Sequence, residues 1–289
     1  MFARYYRPPF IGIIAFVAIF LGTPIAHSIS VSVRDVVGRE NEFMVFFIMG
    51  AVALSLLLYG TRRNDEVSGT ILGYSAGILM WIGWASYSFK FNEYSLHLGM
   101  VDRDGSGGKL PFHLLFIQGS FGICVATLLF FVFNKDSRCN AFRWIQRVFK
   151  LKVGEPDSGQ GRNYCRITFL ETIYVTWFCY GASLFLGDER FLGYEHPVTY
   201  VIVGGLALWG AYLLYRLLKF TRVMAAMRYA IPTKSIFWIP FGEFAPRYGF
   251  YDEVWLKPGE YSGTMWTVVT IFAVLIVASG FLPQRRQTI

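Results

Sequence analysis

Apolar residues along this chain come in unbroken runs, without the alternation of a half-buried strand or the narrow stripe of a water-facing helix. Seven runs approach or reach the roughly 20 residues needed to cover about 30 Å of hydrocarbon at 1.5 Å per residue. They cover residues 10–29, 43–60, 70–89, 111–133, 167–186, 197–215 and 263–282. Lipid offers no partner to a backbone N–H or C=O, so each run predicts a helix, and the even spacing of barrel strands is missing. The expected fold is all-α, a polytopic transmembrane helical bundle forming a single membrane domain over residues 1–289.

Composition strengthens that expectation. Hydrophobic residues make up 54% of the 289 and charged residues only 16%, more apolar matter than one water-soluble core can hide and the opposite of a disordered chain. Arg4 and Arg7 before the first run, with Ala26-His27-Ser28 near its end, resemble a secretory signal. The run is long for the apolar part of a signal, which predicts an uncleaved anchor.

Charge then orients the bundle. With a cytoplasmic N-terminus and seven spans, 19 of the 27 arginines and lysines fall on the inner side and 8 on the outer, with the C-terminus outside. The net charge of +8 is therefore a topology signal, and basic residues beside aromatics at membrane ends favour anionic lipids over nucleic acid. A retinal protein would need a lysine in the final span, and 263–282 has none. A seven-helix receptor would place its N-terminus outside, against the charge count.

Between the spans there is too little chain for a separate catalytic domain, and no phosphate-binding loop, dinucleotide fingerprint, H-E-x-x-H or G-x-S-x-G occurs. Residues 139–152 place Phe142, Ile145, Val148 and Phe149 at helical spacing among Arg143, Arg147 and Lys150, the pattern of an amphipathic helix in the headgroup layer. Residues 154–161 read as a flexible link. The tract 231–261 is expected to be a cytoplasmic aromatic segment; its apolar start, bounded by Pro232 and Pro240, is too short to span and is placed at the cytoplasmic surface or as a shallow re-entrant segment.

Candidate chemistry is sparse. Gly69, Gly73 and Gly77 form a ridge that lets a second helix approach closely, either within the chain or from another one. His27, His97, His113 and His196 all fall at the outer interface in this topology. Imidazoles on three helix ends could ligate copper, zinc or haem iron at the outer face, although histidine also suits an interface without any metal. Asp102-Arg103-Asp104-Gly105-Ser106-Gly107 resembles the start of a calcium loop, but His113 stands where a bidentate glutamate belongs, so an ordinary turn is expected. Glu171 is the one acid well inside a predicted span, which makes it a candidate for a proton or ion path. Cys124, Cys139, Cys165 and Cys179 lie within spans or on the inner side, so no disulfide is expected.

These features lead to an integral membrane subunit of a larger membrane complex, with a structural and docking role. A membrane-embedded redox or metal protein with copper or haem at the outer face is the first alternative. An ion or small-solute transporter using Glu171 is the second. The expected partners are the bilayer, anionic lipids at the cytoplasmic face and other membrane subunits, with no nucleic acid. The expected location is a bacterial inner membrane, the mitochondrial inner membrane being the alternative.

Overall fold

The computed structural model describes residues 7–98, 100–102, 109–135, 140–154 and 162–281. It is an all-helical bundle in which six helices are long and apolar enough to cross a membrane. The protein is an integral membrane protein. The calcium-like loop beyond Asp102, most of the 154–161 link and Cys139 lie outside the described residues.

Helix α1 (Phe10–Thr61) holds the first two predicted spans in one 52-residue element. Helical geometry continues through the expected loop and fails only at Gly38, where φ is +73° and ψ 164°. Glycine takes that conformation without a side-chain clash. The chain doubles back there, because Ala26, Ile29 and Val33 of the first arm pack in one cluster with Phe46 and Met49 of the second. Arg34 Nε also reaches Glu42 Oε2 across the turn at 3.3 Å.

The third pass is α2 (Glu66–Met80), a π-helical turn (Trp81–Ser86) and α3 (Tyr87–Ser95). Asp65 Oδ1 caps it by accepting from Ser68 N at 2.7 Å. The first arm of α1 runs parallel to it, with Tyr74 Oη donating to Ile19 O at 2.9 Å. The second arm runs antiparallel, with Trp84 Nε1 donating to Phe47 O at 3.1 Å and Gly60 lying beside Leu72. A two-stranded ribbon, β1 (Met100–Asp102) and β2 (Lys109–Pro111), leads into α4 (Phe112–Gly119) and α5 (Phe121–Phe133).

Amphipathic α6 (Asn140–Val148) falls within the predicted 139–152 segment and rests on the end of α5, where Gln146 Nε2 donates to Val132 O at 2.7 Å. Helices α7 (Tyr164–Leu186) and α8 (Pro197–Leu217) follow. Asn163 caps α7 and also donates to Thr61 O at 2.7 Å, tying the start of α7 to the end of α1.

The largest departure from expectation comes next. Helix α9 (Val223–Trp238), a second π-helical turn (Ile239–Phe244) and α10 (Ala245–Arg247) form one continuous pass through the bundle. It starts where Arg222 pairs with Glu66 and Met224 packs near Ile11. It finishes where Tyr248 Oη donates to Tyr194 O at 2.8 Å, in the connection between α7 and α8. Residues 231–247 thus pass between the other helices, and the stretch that follows lies at the end of the bundle opposite Phe10. Pro232 is tolerated inside the helix because neighbouring helices cover the backbone there.

This extra pass reverses the direction of α11 (Ser262–Phe281). Met265 packs with Trp238 and Trp255 near Ser28, whereas a Cβ on Gly280 would meet Ile71 Cδ1 at 3.5 Å. Phe10 and Gly280 therefore sit at the same end of the bundle.

Candidate functional site

Helix α9 is enclosed along its whole length, with no exposed residue between Val223 and Trp238. Val223, Met224, Ala226, Met227, Ala230 and Ile231 pack against Ile11, Ala15, Ile19, Tyr74 and Leu217 in one core cluster. Enclosure by protein rather than lipid lets the same helix carry polar groups that a lipid-facing helix would not tolerate.

Lys234 is the centre of that polar content. Its side chain is 3% exposed, and its Nζ donates to Thr23 Oγ1 at 2.9 Å. Thr23 stands near the middle of the 10–37 arm, so the ammonium lies about halfway between the ends of the bundle. No carboxylate pairs with it among the described residues. His27, one turn further along the arm, is within electrostatic reach of both Lys234 and Lys90. Its ring stacks on Trp238 with centroids 6.0 Å apart and planes 13° apart. Trp238 Nε1 in turn donates to Glu243 Oε1 at 2.8 Å, and Glu243 faces Arg247 and Glu253. Beyond the traverse, burial pushes the Glu253 carboxyl above its ordinary range while Arg247 opposes the shift.

Charged groups also mark both ends of this file. Toward the Phe10 end, Glu66 accepts from Arg222 and, at 2.5 Å, from Arg228. Arg228 also donates to Thr70 Oγ1 at 2.7 Å and lies 4.7 Å from the centroid of the Tyr164 ring. Toward the other end, Glu42 is fully buried, paired with Arg34 through one oxygen and without a partner at Oε1. Lys90 lies within electrostatic reach of both.

The four histidines are not brought together. His27 stacks on Trp238; His97 is exposed at the end of α3 with φ of +54°. His113 Nδ1 sits 2.6 Å from Glu93 Oε2, and His196 caps α8 by accepting from Val198 N at 3.2 Å. Among the described residues, no group of three or more His, Cys, Asp or Glu side chains is placed to hold a metal ion. Glu171 is partly exposed on α7, within electrostatic reach of Arg228, and accepts no hydrogen bond among the described residues. The glycine ridge faces α7: a Cβ on Gly73 would stand 2.4 Å from Cys165 O, and on Gly77 2.7 Å from Thr172 Cβ. Its close neighbour is internal to the chain.

Lys234, Glu243 and Thr23 escaped sequence reasoning. Pro232 and Pro240 bound a stretch that looks too short to span, and Arg228 and Lys234 lower the hydropathy of a segment that crosses the bundle. The available signal was the spacing of Val223, Met227, Ala230, Ile231 and Trp238, which continues one apolar helical face straight through Pro232. No family model, curated protein or solved structure matches the chain.

Proposed function

We propose that this integral membrane protein passes protons through its bundle along the file of titratable groups beside α9. The observation that carries the reading is Lys234, a lysine buried halfway between the bundle ends and held by one hydroxyl. A cation there without a counter-charge is costly, and giving up its proton removes the cost. Ionisable groups at such depth mark ion pathways and proton relays more often than scaffolding. Glu66 and Glu171, on either side of the permanently charged Arg228, form the entry at one end; His27 leads from Lys234 toward Lys90 and Glu42 at the other. The π-helical turn after Trp238 supports the reading, since such turns release backbone hydrogen bonds and recur at functional sites.

The test is reconstitution of the purified protein into vesicles enclosing a pH-sensitive dye, with an imposed potassium diffusion potential. Proton entry should exceed that of protein-free vesicles, and Lys234→Met should abolish the excess. Wild-type vesicles no leakier than empty ones, or Lys234→Met vesicles as active as wild type, would sink the proposal.

A subunit role in a larger membrane assembly is favoured by a separate observation. Gly204 and Gly205 lie on the exposed face of α8 between Val201 and Leu208, with no atom within 4 Å of where a Cβ would stand. Small residues facing outward allow another helix to approach closely in lipid. Purification in mild detergent should then recover the chain in a complex that Gly205→Leu disperses.

A further inference from the structure

Helix α6 carries a feature that the proton path does not use. Arg143 and Arg147, one turn apart on α6, and Lys150 in the turn just after it line, with Gln146, Leu151 and Val153, a cavity of about 640 Å³. None of the three cations pairs with a carboxylate among the described residues. Gln146 anchors the helix to the end of α5, fixing the height of the cavity at the Phe10 end of the bundle. Trp144 and Val148 on α6 and Phe149 just past its end are all more than half exposed.

We propose that this cavity seats the phosphate headgroup of an anionic phospholipid, with α6 lying in the headgroup layer and Trp144, Val148 and Phe149 inserted among the acyl chains. Arginine and lysine side chains supply donors suited to phosphate oxygens, and their attraction to an anionic leaflet adds to the insertion of the apolar side chains. The exposed apolar residues distinguish a lipid from a dissolved anion, which would leave them in water. Charge complementarity distinguishes an anionic headgroup from a zwitterionic one, whose own ammonium would meet three cations.

The proposal is tested on the full-length protein in mild detergent, by counting bound phosphatidylglycerol and phosphatidylcholine molecules by native mass spectrometry. Wild type should retain phosphatidylglycerol in preference, and the combined Arg143→Gln, Arg147→Gln, Lys150→Gln variant should retain at least about tenfold less. The changes lie on an exposed stripe, and an unchanged helical circular dichroism spectrum verifies that the variant is folded. Trp144→Ala should weaken retention while leaving the preference between the two lipids intact. Equal retention of the two lipids by wild type, or an undiminished preference in the triple variant, would overturn the site. So would displacement of phosphatidylglycerol by inorganic phosphate at matched ionic strength, which would mark a site for a free anion.

Discussion

Two buried charges in this protein differ in what surrounds them, and the difference predicts opposite effects of removing them. Asp188, fully buried in the connection after α7, accepts from Gln118 Nε2 at 2.7 Å, from Arg190 N at 3.0 Å and from the Arg190 guanidinium at 2.7 Å. Arg190 also donates to Gln118 Oε1 at 3.1 Å, closing the network. Asp188→Ala strands the Gln118 amide in the core, while half-exposed Arg190 can turn to water, so a loss of about 2 kcal/mol is expected. Lys234 has one acceptor, and Lys234→Met replaces an uncompensated cation by an apolar chain of similar length. Such replacements are often neutral or stabilising. Thermal unfolding in detergent should therefore show Asp188→Ala melting earlier than wild type and Lys234→Met melting at or above it. Equal destabilisation by both changes would make Lys234 a structural residue and remove the main support for a proton path. The sequence exposes neither environment: Asp188 reads as a loop acid and Lys234 as a surface cation, because satisfaction of a charge depends on partners 70 and 211 positions away.

Among the elements, the legible ones are those whose energetics are set by lipid. A helix facing hydrocarbon must be apolar over a full span, so α1, α5, α7, α8 and α11 stand out as runs. Helix α9 faces other helices, which keep Lys234 away from lipid beside Thr23 and cover Pro232, so its composition is free of that constraint and its traverse is hidden. The tight turn at Gly38 is hidden as well, since charged residues on both sides of it suggest a long loop where helical geometry in fact runs up to that one residue from either side. The glycine ridge was legible as a demand for close approach but silent about the partner, now seen to be α7. Gly73→Leu must push Cys165 away from a backbone contact, and about 1–3 kcal/mol or more of overpacking cost is expected. Gly205→Leu, on open surface, should leave monomer stability nearly unchanged. Comparing their melting temperatures checks the assignment; indifference to Gly73→Leu would mean that α2 and α7 do not pack closely.

For the whole molecule, the number of passes decides which groups share a face of the membrane. With α9 as a full traverse, Arg247 and Lys257 join Arg34, Arg39, Lys90, Lys109 and Arg190 at the end opposite Phe10. Fourteen of the described arginines and lysines remain at the Phe10 end, against these seven, with Lys234 between. The two-to-one bias predicts that the Phe10 end is cytoplasmic, as the simpler seven-span arrangement also did. The two arrangements part at the segment after α10. Seven spans put Phe250 on the same side as Lys150, whereas a traversing α9 puts them on opposite sides. Phe250 is 77% exposed, and Lys150 is exposed beside α6, so a cysteine at either position is open to reagent. In a Cys139→Ser background, a membrane-impermeant maleimide added to intact cells should label Phe250→Cys and spare Lys150→Cys until the membrane is opened. The reverse pattern would keep the traverse and invert its orientation. Protection of both positions in intact cells, or labelling of both, would place them on one side, take Lys234 out of the middle of the membrane and leave the proposed proton file without a crossing.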